Sequence, residues 1–177
     1  MNTIISQFAL ENAVLDPKPV KVGFINDSFI LPAAQKGQKS YFLQRINHHI
    51  FTNVDALQDN IRKVTNHIRA KLIAAGVQDV ERRVLQLIPT KDGKLYYQTP
   101  EGDYWRMYVL IENASSQEKV TPESAELAGE AFGEFQCQLS DLKFDALCES
   151  IPNFHNIEFR LQQFDDAIRD DKAGRVA

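Results

Sequence analysis

The sequence predicts an α+β fold in which an antiparallel sheet carries one long helix and a helical segment follows. Three observations predict it. Short apolar runs with alternating character, separated by turn residues, occupy 20–46 and 84–111. Between them, over 52–75, apolar residues recur three and four apart. An apolar-poor stretch at 112–119 then leads into a remainder whose spacing is helical throughout.

In chain order, Val20, Val22 and Phe24 alternate with Lys21 and Gly23, the pattern of a half-buried strand. Ile25-Asn-Asp-Ser28 supplies turn residues, Phe29-Ile-Leu-Pro32 a second strand, and Tyr41-Phe-Leu-Gln-Arg-Ile46 a third, completing an antiparallel meander. The helix rests on the stripe Val54, Leu57, Ile61, Val64, Ile68 and Leu72, with Thr52 and Asp55 as its capping box and Gly76 as its stop. Arg62, Lys63, Arg69 and Lys71 fall off that stripe and read as a solvated face. Val84-Leu-Gln-Leu-Ile88 and Leu95-Tyr-Tyr-Gln98 flank the hairpin signal Asp92-Gly93, so they are expected to pair. Pro100-Glu-Gly-Asp103 turns the chain into the longest strand, 104–111, with Trp105, Met107, Val109 and Ile111 on one face.

Beyond the polar stretch, Thr121 caps a helix with Pro122 at its first position, where the missing N–H costs nothing. Ala128, Ala131, Phe132, Phe135 and Leu139 form its expected buried stripe, and Gly129 and Gly133 a ridge open to close approach. A last helix carries Ile157, Leu161, Phe164 and Ile168.

The formal charge of −4 leaves no basic excess, so phosphates of a nucleic acid would find no continuous electrostatic footprint. The start, Met1-Asn-Thr-Ile-Ile-Ser-Gln-Phe8, lacks the basic region and apolar core of a signal peptide, and no apolar run reaches the roughly 18–20 residues of a membrane span. Two cysteines suit a reducing compartment, and the expected location is the cytoplasm. Cys137 and Cys148 read as small buried apolar residues rather than nucleophiles. His48 and His49 are adjacent and diverge, His67 and His155 have no partner four residues on, and no zinc spacing occurs. At 177 residues the chain is short for an enzyme that grips two substrates.

Two places could carry chemistry. The turn with Gly23, Asn26, Asp27 and Ser28 could aim backbone N–H groups and a hydroxyl at a phosphate, although a plain hairpin turn explains the same residues. Gln44 and Arg45 put polar groups into an otherwise apolar strand. Alternation lets one of them face a given side, and the sequence does not choose between a phosphate-orienting group and an arginine at a strand edge in water.

The order of strands, long helix, strands and polar hinge is similar to the N-terminal lobe of a protein kinase. Gly23-Phe-Ile-Asn-Asp-Ser-Phe-Ile30, Tyr41-Phe-Leu-Gln-Arg-Ile-Asn47 with Ile50-Phe51, and Asn60-Ile-Arg-Lys-Val-Thr65 carry a closer likeness. It continues through Trp105-Arg-Met-Tyr108, Ile111-Glu112, Ala128-Gly-Glu-Ala-Phe-Gly-Glu-Phe-Gln136, Ile151-Pro-Asn-Phe-His155 and Asp171-Lys-Ala-Gly-Arg-Val-Ala177. On these stretches the chain resembles the aminoglycoside phosphotransferase superfamily and, within it, the N-acetylhexosamine 1-kinases.

The resemblance implies a nucleotide-binding lobe at 1–112, a hinge at 113–120 and the first helices of a helical lobe at 121–177. Gly23, Asn26, Asp27 and Ser28 would cover the ATP phosphates. Gln44 and Arg45 stand where protein kinases carry a phosphate-gripping lysine, which this chain lacks, and Asn60 near the middle of the long helix would replace the usual glutamate. Ile111, Glu112 and Asn113 would bind adenine through their backbone. The family's His-Asn-Asp loop and Asp-x-Asp segment lie past the counterpart of residue 177, so no catalytic residue or magnesium ligand is expected within this chain, and by itself it is expected to be inactive. The activity implied is ATP- and Mg²⁺-dependent phosphorylation of a small sugar at the anomeric hydroxyl of an N-acetylhexosamine. The alternatives are a noncatalytic nucleotide- or partner-binding module, or a kinase of the same superfamily acting on an aminoglycoside, choline or homoserine.

Overall fold

Alternation of side chains decides the architecture, which the computed structural model describes for residues 1–20, 23–114 and 119–175. Strands β1 (Lys18–Val20), β2 (Asp27–Leu31) and β3 (Tyr41–Ile46) form the expected antiparallel meander. With β4 (Leu87–Ile88), β5 (Tyr97–Gln98) and β6 (Tyr104–Val109) they make one sheet ordered β1-β2-β3-β6-β4, with β5 also on β6.

Two strand expectations are corrected. Lys21 and Val22 lie outside the described residues, β1 ends at Val20, and Phe24 is fully exposed rather than part of a strand. Asp27 and Ser28 belong to β2 instead of the turn, because Ser28 pairs with Val20 on one side and Gln44 on the other. The Asp92-Gly93 turn does form, with Gly93 at φ +83° and the Thr90 N–H on the Lys94 carbonyl at 2.8 Å. However, β4 and β5 pair with β6 and not with each other: β4 meets Met107 and Tyr108, and β5 meets Tyr104 and Trp105.

The main core lies on one face of the sheet. Leu31, Tyr41, Leu43, Ile88, Trp105 and Met107 are buried there under Phe8 and the N-terminal segment, whose Ile4 and Ile5 belong to the short helix α1 (Asn2–Ile5). Each such side chain contributes roughly 1.5–3 kcal/mol by leaving water. Ile4, Ile5, Phe8, Leu10 and Val14 of the first sixteen residues, where no strand or helix is expected from the sequence, supply this cover.

Helix α2 (Val54–Ala74) packs at the end of the opposite face. Its cap is Asn53, whose side chain accepts from the Ala56 N–H at 2.9 Å, rather than the expected Thr52. Val54 and Leu57 sit on Ile46, beside Tyr104. Farther along, Ile68 and Leu72 pack instead with Val80, Val84 and the half-buried Leu139. Val80 belongs to α3 (Val80–Arg83), a short helix not foreseen in the sequence, and Leu139 ends α4 (Pro122–Leu139). The solvated face expected for Arg62, Lys63, Arg69 and Lys71 holds for Arg62; the other three are half-buried, Lys63 and Lys71 turn to the segment after α4, and all four pair with carboxylates.

The Thr121 cap is present as expected, in a reciprocal box with Ser124. The stripes of α4 and of α5 (Ile157–Asp170) are not buried, contrary to expectation: Phe132 and Phe135 are exposed, as are Ile157, Leu161, Phe164 and Ile168. Cys137 and Cys148 are exposed too, and nothing stands within 4 Å of a Cβ built on Gly129 or Gly133. The reason is that only the end of α4, at Leu139, packs against α2, and no described element covers the rest of the two stripes. The linker expectation falls partly on residues 115–118, and the terminal motif partly on 176 and 177, all outside the described residues. No helix among the described residues is long and apolar enough to cross a membrane.

Candidate functional site

Strand register assembles the site from residues far apart in the chain. On the sheet face away from the main core, Val20, Ser28, Gln44 and Arg106 are cross-strand partners along one row. Lys18, Ile30, Phe42, Tyr108 and Leu87 are partners along the next. Side chains directly opposite in an antiparallel pair stand about 5 Å apart, and successive rows on one face roughly 7 Å. The polar Ser28, Gln44 and Arg106 therefore stand beside the apolar Ile30, Phe42 and Tyr108.

Ser28, Gln44 and Arg106 are hydrogen-bonded in series. Gln44 Nε2 donates to Ser28 Oγ at 3.0 Å, and Gln44 Oε1 accepts from Nε and a terminal nitrogen of Arg106 at 3.1 and 3.0 Å. Both ends of the amide are used, so its orientation is set. Ser28 is buried and accepts here, which leaves its own hydrogen to donate. Arg106 is half-buried, and burial holds its guanidinium below its usual value. Among the described residues it pairs with no carboxylate; its neighbours are the neutral Gln44 amide and the Tyr108 ring, 5.3 Å from guanidinium carbon to centroid. A partly desolvated cation held by neutral groups favours an incoming anion.

The loop before β2 borders this row. Gly23 stands at φ +121° with nothing within 4 Å of a Cβ, a conformation that favours glycine. Asn26 Oδ1 accepts from the Asn47 N–H at 3.0 Å and ties the foot of the loop to the end of β3.

The other expected site residues separate. Asp27 and Arg45 are partners on the core face of the sheet, at its exposed end. Arg45 Nε donates to Asp27 at 2.8 Å, and a terminal nitrogen lies 3.5 Å from Asp103, so two carboxylates neutralise it and raise its pKa. A cavity of about 240 Å³ opens there, lined by these three with Ile25, His48 and His49. Asn60 does not reach β3. Its amide nitrogen donates to the Cys148 carbonyl at 2.6 Å, and its oxygen accepts from the Cys148 N–H at 2.9 Å. Of the expected hinge, Glu112 Oε1 accepts from Ser40 Oγ at 3.0 Å, and its carbonyl accepts both terminal nitrogens of Arg82 at 3.2 Å. Ile111 precedes it in the chain, and Asn113 follows in the left-handed region, φ +57°.

Two residues escaped the sequence reading. Arg106 alternates with Trp105 and Met107, so its place on the opposite face was legible, but its pairing with Gln44 required the register. Gln58, next to Leu57 on α2, is 1% exposed, and neither atom of its amide has a hydrogen-bond partner among the described residues. Among the described residues no group of three or more His, Cys, Asp or Glu could hold a metal ion.

No protein-family model matches the chain. Among solved structures it is similar to a spectinomycin phosphotransferase, APH(9)-Ia, in complex with ADP and spectinomycin, with a TM-score of 0.43 and 13% identity. The likeness covers 76% of this chain and 35% of that one, so the chain spans about a third of the enzyme's length.

Proposed function

We propose that residues 1–112 are the nucleotide-binding lobe of an ATP-dependent phosphotransferase, and that its acceptor is the anomeric hydroxyl of an N-acetylhexosamine. One observation carries the nucleotide reading: the bonded polar residues Ser28, Gln44 and Arg106, with a half-buried cation among them, lie directly beside the apolar Ile30, Phe42 and Tyr108 on one sheet face. An adenine nucleotide has that division, with an apolar base at one end and an anionic phosphate chain at the other. Ile30 and Phe42, both half-buried, would take the base beside the buried Tyr108, and Arg106 with Ser28 the phosphates, while Gln44 holds Arg106 in place. ATP supplies the phosphoryl group, with Mg²⁺ to neutralise its charge. Positioning by these residues is what this chain would contribute.

The acceptor assignment rests on the sequence resemblance alone. The same reading treats 113–120 as a hinge and 121–177 as the first helices of a helical lobe. The exposed apolar stripes of α4 and α5 support it, since side chains such as Phe132 and Phe164 gain stability only when another element covers them.

Isothermal calorimetry of the 177-residue chain with ATP, ADP, adenosine and inorganic pyrophosphate tests the binding half. Binding of ATP and ADP that exceeds both adenosine and pyrophosphate is expected; no binding of any of them removes the proposal. The acceptor is tested by incubating the full-length protein with ATP and N-acetylglucosamine or N-acetylgalactosamine. Absence of a sugar 1-phosphate, with turnover of an aminoglycoside, choline or homoserine instead, would reassign the substrate.

A further inference from the structure

Helix α2 buries one amide that has no partner among the described residues. Gln58 is 1% exposed, and neither its Oε1 nor its Nε2 is hydrogen-bonded there. Nearly all buried polar side-chain atoms of folded proteins are bonded, and an unpaired buried amide is less stable than an apolar side chain of the same shape. Val54 lies four residues before Gln58 and Ile61 three after, so the three share one side of the helix. Val54 and Ile61 pack with Ile46 and Tyr104, and Gln58 is buried with them against the sheet.

That sheet face is the one that carries Ser28, Gln44 and Arg106. Ile46 and Tyr104 are cross-strand partners, and the next pair on the same face is Gln44 with Arg106, roughly 7 Å away. The pair after that is Phe42 with Tyr108, and Tyr108 also meets Leu87. Helix α2 runs in the same sense. It begins over Ile46 and Tyr104, and its later residues Ile68 and Leu72 pack with Val80 and Val84, just before β4. Gln58, one turn past Val54, therefore lies where the helix leaves Tyr104 in the direction of Arg106. Arg106 has room for a further partner: Gln44 takes Nε and one terminal nitrogen, and the other terminal nitrogen has none among the described residues.

We propose that Gln58 is a further binding residue of the phosphate site, donating from Nε2 to the nucleotide phosphate that Arg106 attracts. The inference rests on the nucleotide reading given above. Gln44 uses both ends of its amide on Ser28 and Arg106, so its part is to hold the guanidinium. Gln58 uses neither end. An amide donates to an anionic oxygen without cancelling the charge of Arg106, whereas a carboxylate at the same place would neutralise it.

Urea denaturation and calorimetry with ATP, on the 177-residue chain and its Gln58→Met variant, test this. Methionine is close to glutamine in shape and apolar. The urea midpoint is expected to rise, because the unpaired amide is gone, while ATP affinity falls about tenfold, as for a lost hydrogen bond to a charged group. A midpoint that falls together with the affinity would make Gln58 a structural residue and overturn the proposal. So would a wild type that binds ATP and a variant that binds it equally well. A wild type that binds no ATP removes the nucleotide reading and this inference with it, so the two failures are told apart. Gln58→Leu, with the same expected outcomes, keeps the test open if Gln58→Met does not fold.

Discussion

Gln44 and Arg45 are neighbours in β3 and look to opposite faces of the sheet: Gln44 donates to Ser28 at 3.0 Å on one side, and Arg45 to Asp27 at 2.8 Å on the other. Consecutive residues of a strand must diverge in this way. Here the divergence separates a polar row with an uncompensated cation from an arginine neutralised twice.

The first prediction follows from that separation. Arg106→Met should weaken ATP binding at least about tenfold, since a hydrogen bond to a charged group is worth roughly 1.5–3 kcal/mol. Arg106→Lys should recover part of it, because a point charge replaces a planar fork. Arg45→Ala should leave ATP affinity unchanged and alter stability by less than about 1 kcal/mol, as exposed ion pairs do. Calorimetry of the three variants checks this, and an Arg45→Ala protein that no longer bound ATP would reverse the face assignment.

Tyr96 supplies a second. Burial first, and then the hydrogen bond to Asp55 at 2.9 Å, push its phenol up to about 12. A group whose folded value is raised contributes stability that is whole below the unfolded value, near 10, and is lost as pH climbs to about 12. Ultraviolet titration of phenolate should therefore show a late component that Tyr96→Phe reduces by one tyrosine, leaving that of Tyr108, which burial also raises. A late component of unchanged amplitude in Tyr96→Phe would show that Tyr96 does not contribute to it.

At the acid end, hydrogen bonds from Lys71 and then His67 hold the Asp141 carboxyl at about 2. A lowered folded value means stability present above the ordinary carboxylate range near 4 and lost as pH falls towards about 2. Urea midpoints measured between those limits should fall more steeply in wild type than in Asp141→Asn. Parallel curves would mean that the pairing is absent in solution.

A fourth prediction contrasts two apolar positions. Leu43 is fully buried in the main core, and Leu43→Ala should cost about 2–5 kcal/mol. Phe132 is 71% exposed on α4, and Phe132→Ser should change stability by no more than about 0.5 kcal/mol. Denaturant titrations give both numbers. A loss of several kcal/mol at Phe132 would show that the helix is covered in solution.

Local periodicity made much of the fold legible. The spacing of Val54, Leu57, Ile68 and Leu72 located α2, the run from Tyr41 to Ile46 located β3, and Thr121 marked the start of α4. Each rests on interactions within a few residues. Hairpin reasoning failed at 84–98 because turn chemistry reports a reversal of the chain and not which strand lies alongside; β6 was the better partner for both arms. The apolar spacing in α4 identified a helix correctly and its burial incorrectly, since spacing names a face without saying what covers it.

For the candidate site, residue types alone singled out Gly23, Ser28, Gln44 and Arg45 and showed that Gln44 and Arg45 could not share a face. Which of the two joins Ser28, and that Arg106 completes the row, depends on pairing across strands sixteen and more residues apart, which is a matter of register. The same holds for Asn60. Its position on the helix followed from the sequence, but its partner, eighty-eight residues on, is decided by where the segment after α4 lies. Local patterns are set by forces that act along the chain, and the sequence states them directly. Contacts between distant residues are set by how apolar faces pack, and only the tertiary structure decides them.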